Sequence, residues 1–233
     1  MGNRIGKEAF KRRVSKLLFT RDEMLKEVDK LHLKLQPGNT KTGRNCYTVS
    51  LLPVVDCGEN CRECKKDCYD LRNDMIYSTV INDRAKNSAI HKADPERYWR
   101  EIDIQISANY VELLRINVGG DMTDDDFGYL NLVALHNPRT RFLFFTKNYK
   151  GINRYLDHNT FESNVIPILS AWKNTEMKNP HNLPVSHVLY PDGKTTAPTY
   201  GAYYCGGNCS RCAFNEEGCW TLQKGEHVIF KAH

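Results

Sequence analysis

Residues 46–68 read CYTVSLLPVVDCGENCRECKKDC. The first ten residues of this stretch, 46–55, are uncharged and lead directly into four closely spaced cysteines. Residues 46–55 favour a buried β-strand, because β-branched and other apolar side chains dominate this stretch. The first group of cysteines therefore follows a strand. In α/β folds the functional loops follow the carboxyl ends of the strands. This stretch thus predicts both the fold class and the position of a site.

The order of strand, loop and helix recurs along the chain. Further strands are predicted over residues 113–118, 141–145, 165–169 and 185–190. Helices are predicted over residues 95–109, 124–136 and 151–157. Strands that alternate with helices at this spacing favour a mostly parallel sheet. We expect an α/β fold in which the sheet curves into an incomplete parallel (βα) barrel.

Both ends of the chain differ from this central pattern. Residues 7–18 and 21–32 form amphipathic patterns that predict two helices, with Leu17 and Phe19 among their apolar contacts. The last residues are rich in cysteine and glycine. We expect an N-terminal helical extension, a partial barrel and a C-terminal cysteine-cluster tail, with the following bounds: 1–36, 37–200 and 201–233.

The composition excludes only a few classes of function. The chain has 233 residues, 40% of them hydrophobic, and no apolar run of the length that a membrane helix needs. Its first residues show no pattern of a secretory signal, so we expect a cytoplasmic protein. The net charge of +5 permits contact with phosphate without indicating a dedicated nucleic-acid binder. Basic side chains lie in the first predicted helix, namely Lys7, Lys11, Arg12, Arg13 and Lys16.

Eight of the nine cysteines fall into two short windows. The first has the spacing C-x3-C-x2-C-x3-C and contains Cys57, Cys61, Cys64 and Cys68. The second has the spacing C-x3-C-x2-C-x6-C and contains Cys205, Cys209, Cys212 and Cys219. Disulfides do not persist in a reducing cytoplasm, so both windows predict metal-binding thiolates. The ninth cysteine, Cys46, lies in a predicted strand and is expected to be a core residue.

The spacing favours iron–sulfur clusters over zinc, because zinc sites prefer paired C-x2-C knuckles and each window has only one. The order of a strand followed by C-x3-C-x2-C is also similar to radical S-adenosylmethionine (SAM) enzymes. In those enzymes three cysteines hold a [4Fe–4S] cluster with one open iron, a pattern that Cys57, Cys61 and Cys64 would match. Glu63 stands where that superfamily has an aromatic residue, and Cys68 could close the fourth position. His227 and His233 could replace a thiolate in the second window.

The whole chain resembles the gene-product-eighty-eight family of phage and bacterial proteins over roughly residues 35–233. The motifs that carry the resemblance are PGNTKTGRNCYTVSLLP, RINVGGD, FLFFTKN, VIPILSAW and the closing Cys219-Trp220. The family implies no settled activity. Its expected first motif, C-x6-C-x3-C-Y, would select Cys57, Cys64 and Cys68 and leave Cys61 as the additional cysteine.

The similarity to radical SAM proteins implies a cofactor site at the ends of the later strands. Gly119, Gly120 and Asp121 would correspond to the segment that contacts the methionine amino group of SAM, although Asp121 replaces the usual Glu. A tight turn is the structural alternative for these three residues. Thr146, Lys147 and Ser170 follow the next strands and are candidate cofactor-binding residues.

Two functions of different class follow. The first is an iron–sulfur enzyme of the radical SAM type, with one or two [4Fe–4S] clusters, bound SAM, an electron donor and an unknown substrate. The second is a zinc-stabilised binding protein with two four-cysteine sites, whose basic N-terminal helices contact nucleic acid or a host protein. An iron–sulfur protein without catalytic activity is a third possibility. No membrane partner is expected.

Overall fold

One parallel sheet organises the molecule. The computed structural model describes residues 6–40, 42–73, 78–198 and 200–232. Within these ranges seven strands pair in the order β1-β2-β3-β4-β5-β7-β6, and every neighbouring pair is parallel. The strands are β1 (Cys46–Val49), β2 (Leu113–Ile116), β3 (Arg141–Thr146), β4 (Val165–Ser170), β5 (Val185–Leu189), β6 (Ala202–Tyr204) and β7 (His227–Lys231). The sheet is not closed, and β1 and β6 form its edges. The predicted α/β class with a parallel sheet is confirmed.

The helices are α1 (Lys7–Leu25), α2 (Tyr69–Asn73), α3 (Ser78–Ala93), α4 (Pro95–Asn109), α5 (Asp126–His136), α6 (Tyr149–Leu156) and α7 (Cys209–Phe214). Helices α3 to α6 pack on one face of the sheet, whereas α7 belongs to the C-terminal segment. Alternate strand residues such as Leu114, Phe142 and Phe144 are fully buried on this face. They pack with Ile102 of α4 and Phe127 of α5 in the largest core cluster. This face supplies the main hydrophobic core.

The C-terminal cysteine-rich segment covers the opposite face. Leu143 and Ile168 of the sheet are buried there against Cys212 and Trp220. The same segment supplies β6 and β7, and β7 inserts between β5 and β6. The division of the chain into three parts stays a prediction, but the tail and the central strands share one sheet.

The N-terminal prediction needs correction. Residues 7–18 and 21–32 were expected to form two helices, whereas α1 is continuous to Leu25 and only a short 3-10 turn follows. Leu17 is buried as expected, in a cluster with Ile81 and Ala85 of α3. Phe19 was expected to be an apolar contact and is 66% exposed. The basic helix is therefore packed on the protein through one face only.

Two other differences bear on the site. The first predicted strand ends at Val49 rather than at residue 55, because the backbone amide of Leu52 turns to the Asp56 carboxylate (2.7 Å). The helix α3 was not predicted, since its buried face consists largely of alanine and polar residues. In the part of the chain that the structure describes, no helix combines the length and apolar character needed to span a bilayer.

Candidate functional site

The first cysteine window forms a compact loop at the carboxyl end of β1. Two short 3-10 turns, Gly58–Cys61 and Lys65–Asp67, fold this loop and separate its cysteines. The hydroxyl of Tyr69 donates to the carbonyl of Val118 (3.3 Å), and the amide of Leu51 donates to Gly119 (2.9 Å). These bonds fasten the loop to the segment that follows β2. The ends of the first two strands thus meet, as the sequence predicted.

The four thiols of the loop have different surroundings. The Cys61 Sγ is turned to carbonyls of its own loop, those of Gly58 (3.2 Å) and Val54 (3.7 Å), and Cys61 is 5% exposed. The thiols of Cys57 and Cys61 are in hydrogen-bond contact, which raises the pKa of Cys57 and lowers that of Cys61. The Cys64 thiol also donates to a carbonyl of the loop, that of Cys61 (3.6 Å), whereas Cys61 has two such contacts.

Cys64 and Cys68 complete the loop. Burial raises the pKa of Cys64, and it raises the pKa of Cys68 to about 11. The Cys68 Sγ also accepts a backbone amide bond from Leu71 (3.4 Å). An N–H group aimed at sulfur stabilises the thiolate form, which is the form that binds metal.

Lys147 is the cation of this site. Burial alone would lower the pKa of Lys147, but the neighbouring Cys64, Asp121, Cys57 and Cys68 groups outweigh it, and the pKa is raised. A buried ammonium that faces thiols favours their ionised form. Lys147 therefore interacts electrostatically with three of the four loop cysteines, and its role in a site stays a prediction.

Asp121 joins the ends of β2 and β3. Its Oδ1 accepts bonds from the hydroxyl of Thr146 (2.6 Å) and the amide of Met122 (2.8 Å), and its Oδ2 accepts the amide of Lys147 (3.0 Å). Burial raises the pKa of Asp121 in spite of these donors. All three bonds stay within the protein, so Asp121 positions Thr146 and Lys147. Contact of these residues with a cofactor stays a prediction.

The two glycines before Asp121 are required by packing. A Cβ on Gly119 would lie 2.2 Å from the Asp70 Oδ2 and 2.9 Å from the Arg84 Nη1. Gly120 has a φ of +85°, and a Cβ there would lie 2.7 Å from the Leu51 Cβ. The chain bends at residues 118–120. Close approach to the first loop explains why both residues lack a side chain.

Ser170 and Trp172 occupy different positions at the end of β4. The carbonyl of Ser170 accepts the hydroxyl of Tyr149 (2.5 Å). Within the described residues no recorded contact joins the Ser170 side chain to the cysteine loop. The Trp172 ring lies 5.8 Å from the Lys147 ammonium and 5.9 Å from the Tyr190 ring. Trp172 therefore borders the site directly, whereas Ser170 does so only through its neighbours.

A cleft of about 380 Å³ opens between the first cysteine loop and the segment after β4. It is lined by Arg62, Glu63, Lys65, Lys66, Asp67, Trp172, Lys173 and Asn174. Four of these side chains are cationic and two are acidic. The candidate site therefore combines a thiol-rich loop with a cleft that carries excess positive charge.

The second cysteine window, which includes α7, lies on the sheet face opposite α3 to α6. The Arg115 Nη1 donates to the Cys209 Sγ (3.5 Å), and the Cys46 thiol is in hydrogen-bond contact with the same sulfur. The contact with Cys46 and the charge of Arg115 lower the pKa of Cys209 to about 6. Burial raises the pKa of Cys219 to about 12. Cys209 is thus the thiol of this window that ionises most readily.

Arg115 and Cys46 were not predicted as site residues. Cys46 is fully buried, as expected of a core residue, but it also contacts the second window. The Arg115 Nε is buried without a hydrogen-bond partner. Both residues reach the window only because the tail folds back across the sheet, and no local pattern in the sequence indicates that return.

The two histidines considered as substitute ligands do not extend the second window. The His227 Nδ1 contacts the His187 Nε2 (3.0 Å) on the neighbouring strand. Burial and the charge of His227 lower the pKa of His187 to about 4. His233 lies outside the described residues. In residues 6–40, 42–73, 78–198 and 200–232, no three His, Cys, Asp or Glu side chains are placed to hold one metal ion.

Comparison with known proteins agrees with the resemblance seen in the motifs. No curated protein matches the chain, and no solved structure matches it. The profile of the family described as gene product 88 matches residues 17–227. This range includes β1 to β6, both cysteine windows and the cleft. The chain therefore belongs to the gene product 88 family.

Proposed function

We propose that the protein is an iron–sulfur enzyme of the radical SAM type, with its reactive cluster on the first cysteine loop. The observation that supports this most is that Cys57, Cys64 and Cys68 each act electrostatically on the buried Lys147 at the carboxyl ends of parallel strands. In parallel α/β folds, including incomplete barrels, this edge carries the chemistry. The substrate remains to be identified.

The donor set of the loop suits a cluster. All its candidate ligands are thiols, which are the usual ligands of iron–sulfur clusters. Zinc sites favour paired C-x2-C knuckles, and this loop has only one. The all-sulfur set and its spacing in the sequence therefore favour a cluster in this proposal.

We assign the ligands to Cys57, Cys64 and Cys68, because the Cys61 thiol contacts two carbonyls, those of Gly58 (3.2 Å) and Val54 (3.7 Å), whereas the Cys64 thiol has one longer contact of this kind (3.6 Å). Three protein ligands leave one iron of a [4Fe–4S] cluster open. The chemistry that such a site supplies is one-electron reductive cleavage of SAM, which yields a 5′-deoxyadenosyl radical for hydrogen abstraction. This choice follows the C-x6-C-x3-C alternative rather than the C-x3-C-x2-C alternative.

The protein's own residues set the environment of this chemistry. Lys147 balances negative charge on the thiolates, and the amide of Leu71 donates to Cys68. Hydrogen bonds and nearby charges of this kind tune the reduction potential of a cluster. Asp121 fixes Lys147 by accepting its backbone amide. We expect the loop to exclude water from part of the site, since Cys61 and Asp121 are both buried.

The second window is proposed to hold a closed cluster of four thiolates for electron transfer. Arg115 supplies a positive charge at Cys209. A closed site of this kind has no open position for SAM. The first window would therefore hold the reactive cluster, and the second would supply electrons to it.

The test uses anaerobically reconstituted protein with a chemical reductant and SAM. Formation of 5′-deoxyadenosine is expected in the wild type and in Cys61→Ala. Formation of 5′-deoxyadenosine should be lost in Cys57→Ala, Cys64→Ala and Cys68→Ala. Each of these variants should also contain about four fewer iron atoms per chain than the wild type. Cys61→Ala is the matched control, because it removes a thiol from the same loop. Loss of iron in Cys61→Ala with retention in Cys68→Ala would overturn the ligand assignment.

Cofactor cleavage that is absent from fully loaded, reduced wild-type protein would overturn the enzyme proposal. The zinc-stabilised binding protein would instead be supported by colourless protein with two zinc ions per chain. Its nucleic-acid affinity should then fall steeply with salt. Lys7, Lys11, Arg12 and Lys16 are exposed on α1 and would carry that contact.

A further inference from the structure

The cleft beside the first cysteine loop has features of a ligand site. Its volume of about 380 Å³ falls in the range of small-molecule pockets, roughly 300–1,000 Å³. It lies between the loop that carries Cys64 and the segment that begins at Trp172. A ligand in the cleft would therefore be adjacent to the site proposed for chemistry.

The cations of the cleft have no acidic partner among the described residues. Arg62, Lys65, Lys66 and Lys173 line the cleft, and none of them forms an ion pair within the ranges that the structure describes. Lys65 and Lys173 are half-buried, whereas Arg62 and Lys66 are exposed. Four cations against two carboxylates leave an excess of positive charge. This arrangement favours a ligand with a compact, multiply charged anionic group.

Trp172 gives the cleft a flat apolar surface. Its ring is held by the edge of Tyr190 (5.9 Å, 80° between planes) and by the ammonium of Lys147 (5.8 Å). Tyr190 is in turn contacted by the ammonium of Lys173 (4.6 Å). Tyr190 and Lys147 therefore hold the ring in place, and Trp172 is half-exposed. A planar heterocycle is the group that stacks best on such a surface.

These features together identify a ligand class. We propose that the cleft binds a nucleoside monophosphate, with its phosphate among Arg62, Lys66 and Lys173 and its base on Trp172. The proposal deepens the proposed function, and rests on it for the claim that this ligand is the substrate class. SAM itself carries no phosphate, so the cationic lining distinguishes this ligand from the cofactor.

The binding test needs neither SAM nor reductant. Tryptophan fluorescence of the anaerobically purified full chain is titrated with each of AMP, GMP, CMP and UMP. Trp99 and Trp220 are 2% and 3% exposed, so quenching by a stacked base reports on Trp172. Saturable quenching by at least one of the four is expected. The matching nucleoside and inorganic phosphate should each bind at least about tenfold more weakly.

Variants separate the two halves of the site. Lys66→Ala/Lys173→Ala should weaken nucleotide binding by about tenfold or more, and Trp172→Ala should also weaken it when binding is measured by equilibrium dialysis, which does not depend on the fluorescence of Trp172. Lys30→Ala, an exposed lysine outside the cleft, is the matched control and should bind like the wild type. Equal affinity of wild type and the double variant would overturn the proposal.

Two other results would also overturn it. One is failure of all four mononucleotides to bind at millimolar concentration. The other is binding of a ten-residue oligonucleotide without binding of any mononucleotide, which would indicate a nucleic-acid strand instead. Because these titrations contain no SAM, their failure is distinguishable from failure of SAM cleavage. Nucleotide binding without cofactor cleavage would retain the ligand site and overturn only its assignment as substrate.

Discussion

Gly119→Ala tests whether the glycine after β2 is required by packing or by a bound cofactor. The new Cβ would lie 2.2 Å from the Asp70 Oδ2, whereas ordinary contact begins at 3.4 Å. Asp70 cannot retreat freely, because its Oδ2 accepts a bond from Arg84 at 2.6 Å. Backbone on the other side is also close, with the Leu51 oxygen at 3.0 Å.

The magnitude follows from this geometry. The carboxylate must move by about 1.2 Å, which breaks the bond to Arg84 or displaces the backbone. Overpacking costs about 1–3 kcal/mol, and loss of a buried ion pair costs about 3–5 kcal/mol. Asp70 and Arg84 are both largely buried. We expect Gly119→Ala to lower the free energy of unfolding by about 3 kcal/mol, because some relaxation is available.

The assay compares thermal unfolding of the two proteins, both without cofactor. A loss of about 3 kcal/mol corresponds to a fall in Tm of about 6–12 °C for a chain of this size. Gly128→Ala in α5 is the matched control, because a Cβ there meets nothing within 4 Å. Replacing glycine by alanine in a helix should raise stability by up to about 1 kcal/mol.

An unchanged Tm for Gly119→Ala would refute the packing argument. If that stable variant also lost SAM binding, the glycine would instead serve the cofactor. A large fall in Tm without SAM present supports the packing explanation, since no ligand contributes to the measurement.

Three further predictions concern the buried charges and thiols. The pKa of Asp126 is lowered below 3.8 and that of His91 is raised above 6.5, because burial of each is outweighed by their mutual contact at 2.8 Å. Asp126→Asn should therefore lower the free energy of unfolding most between pH 3.8 and 6.5, where the ionised forms of both groups stabilise the folded state. Urea unfolding of variant and wild type should show a smaller difference in free energy below and above that pH range. A deficit that is independent of pH would contradict this ion pair. Arg115→Met should raise the pKa of Cys209 from about 6, and alkylation of metal-free protein at pH 6.5, followed by peptide mass spectrometry, should slow several-fold at that cysteine. An unchanged rate would show that Arg115 does not stabilise the thiolate. Cys61→Ala should lower the free energy of unfolding of the metal-free protein by no more than about 2 kcal/mol, because the thiol donates only weak bonds to its own loop.

The sequence predicted the strands well where the pattern was local. Residues 113–118, 141–145 and 165–169 each coincide with a strand to within two residues at either end. The helix at 95–109 was also predicted, since Asp94 accepts the Arg97 amide as its N-terminal cap. Periodicity and caps depend on neighbouring residues only, so they can be recognised without tertiary structure.

The tail shows what local patterns do not reveal. β7 lies between β5 and β6, and this order depends on a chain return that spacing does not encode. The contacts of Arg115 and Cys46 with Cys209 arise from the same return. A single buried arginine in a strand carries no signal of its partner. Tertiary contacts of this kind required the structure.

At the first window the sequence predicted which residues lie near one another but not the contacts they make. Cys57 to Cys68, Asp121 and Lys147 were all expected at strand ends, and the structure brings them together. The use of Asp121 to hold Thr146 and Lys147 was not expected. The family resemblance left Cys61 as the additional cysteine, but its contacts with carbonyls could not be predicted, because they depend on how the loop turns between Val54 and Cys61.

The most direct measurement is iron, acid-labile sulfide and zinc analysis of protein purified without oxygen, together with its visible spectrum. We expect brown protein with iron and sulfide in equal amounts, at about four or eight of each per chain, because each all-thiol window is assigned one [4Fe–4S] cluster. Colourless protein with two tightly bound zinc ions per chain, and no sulfide, would contradict the central proposal.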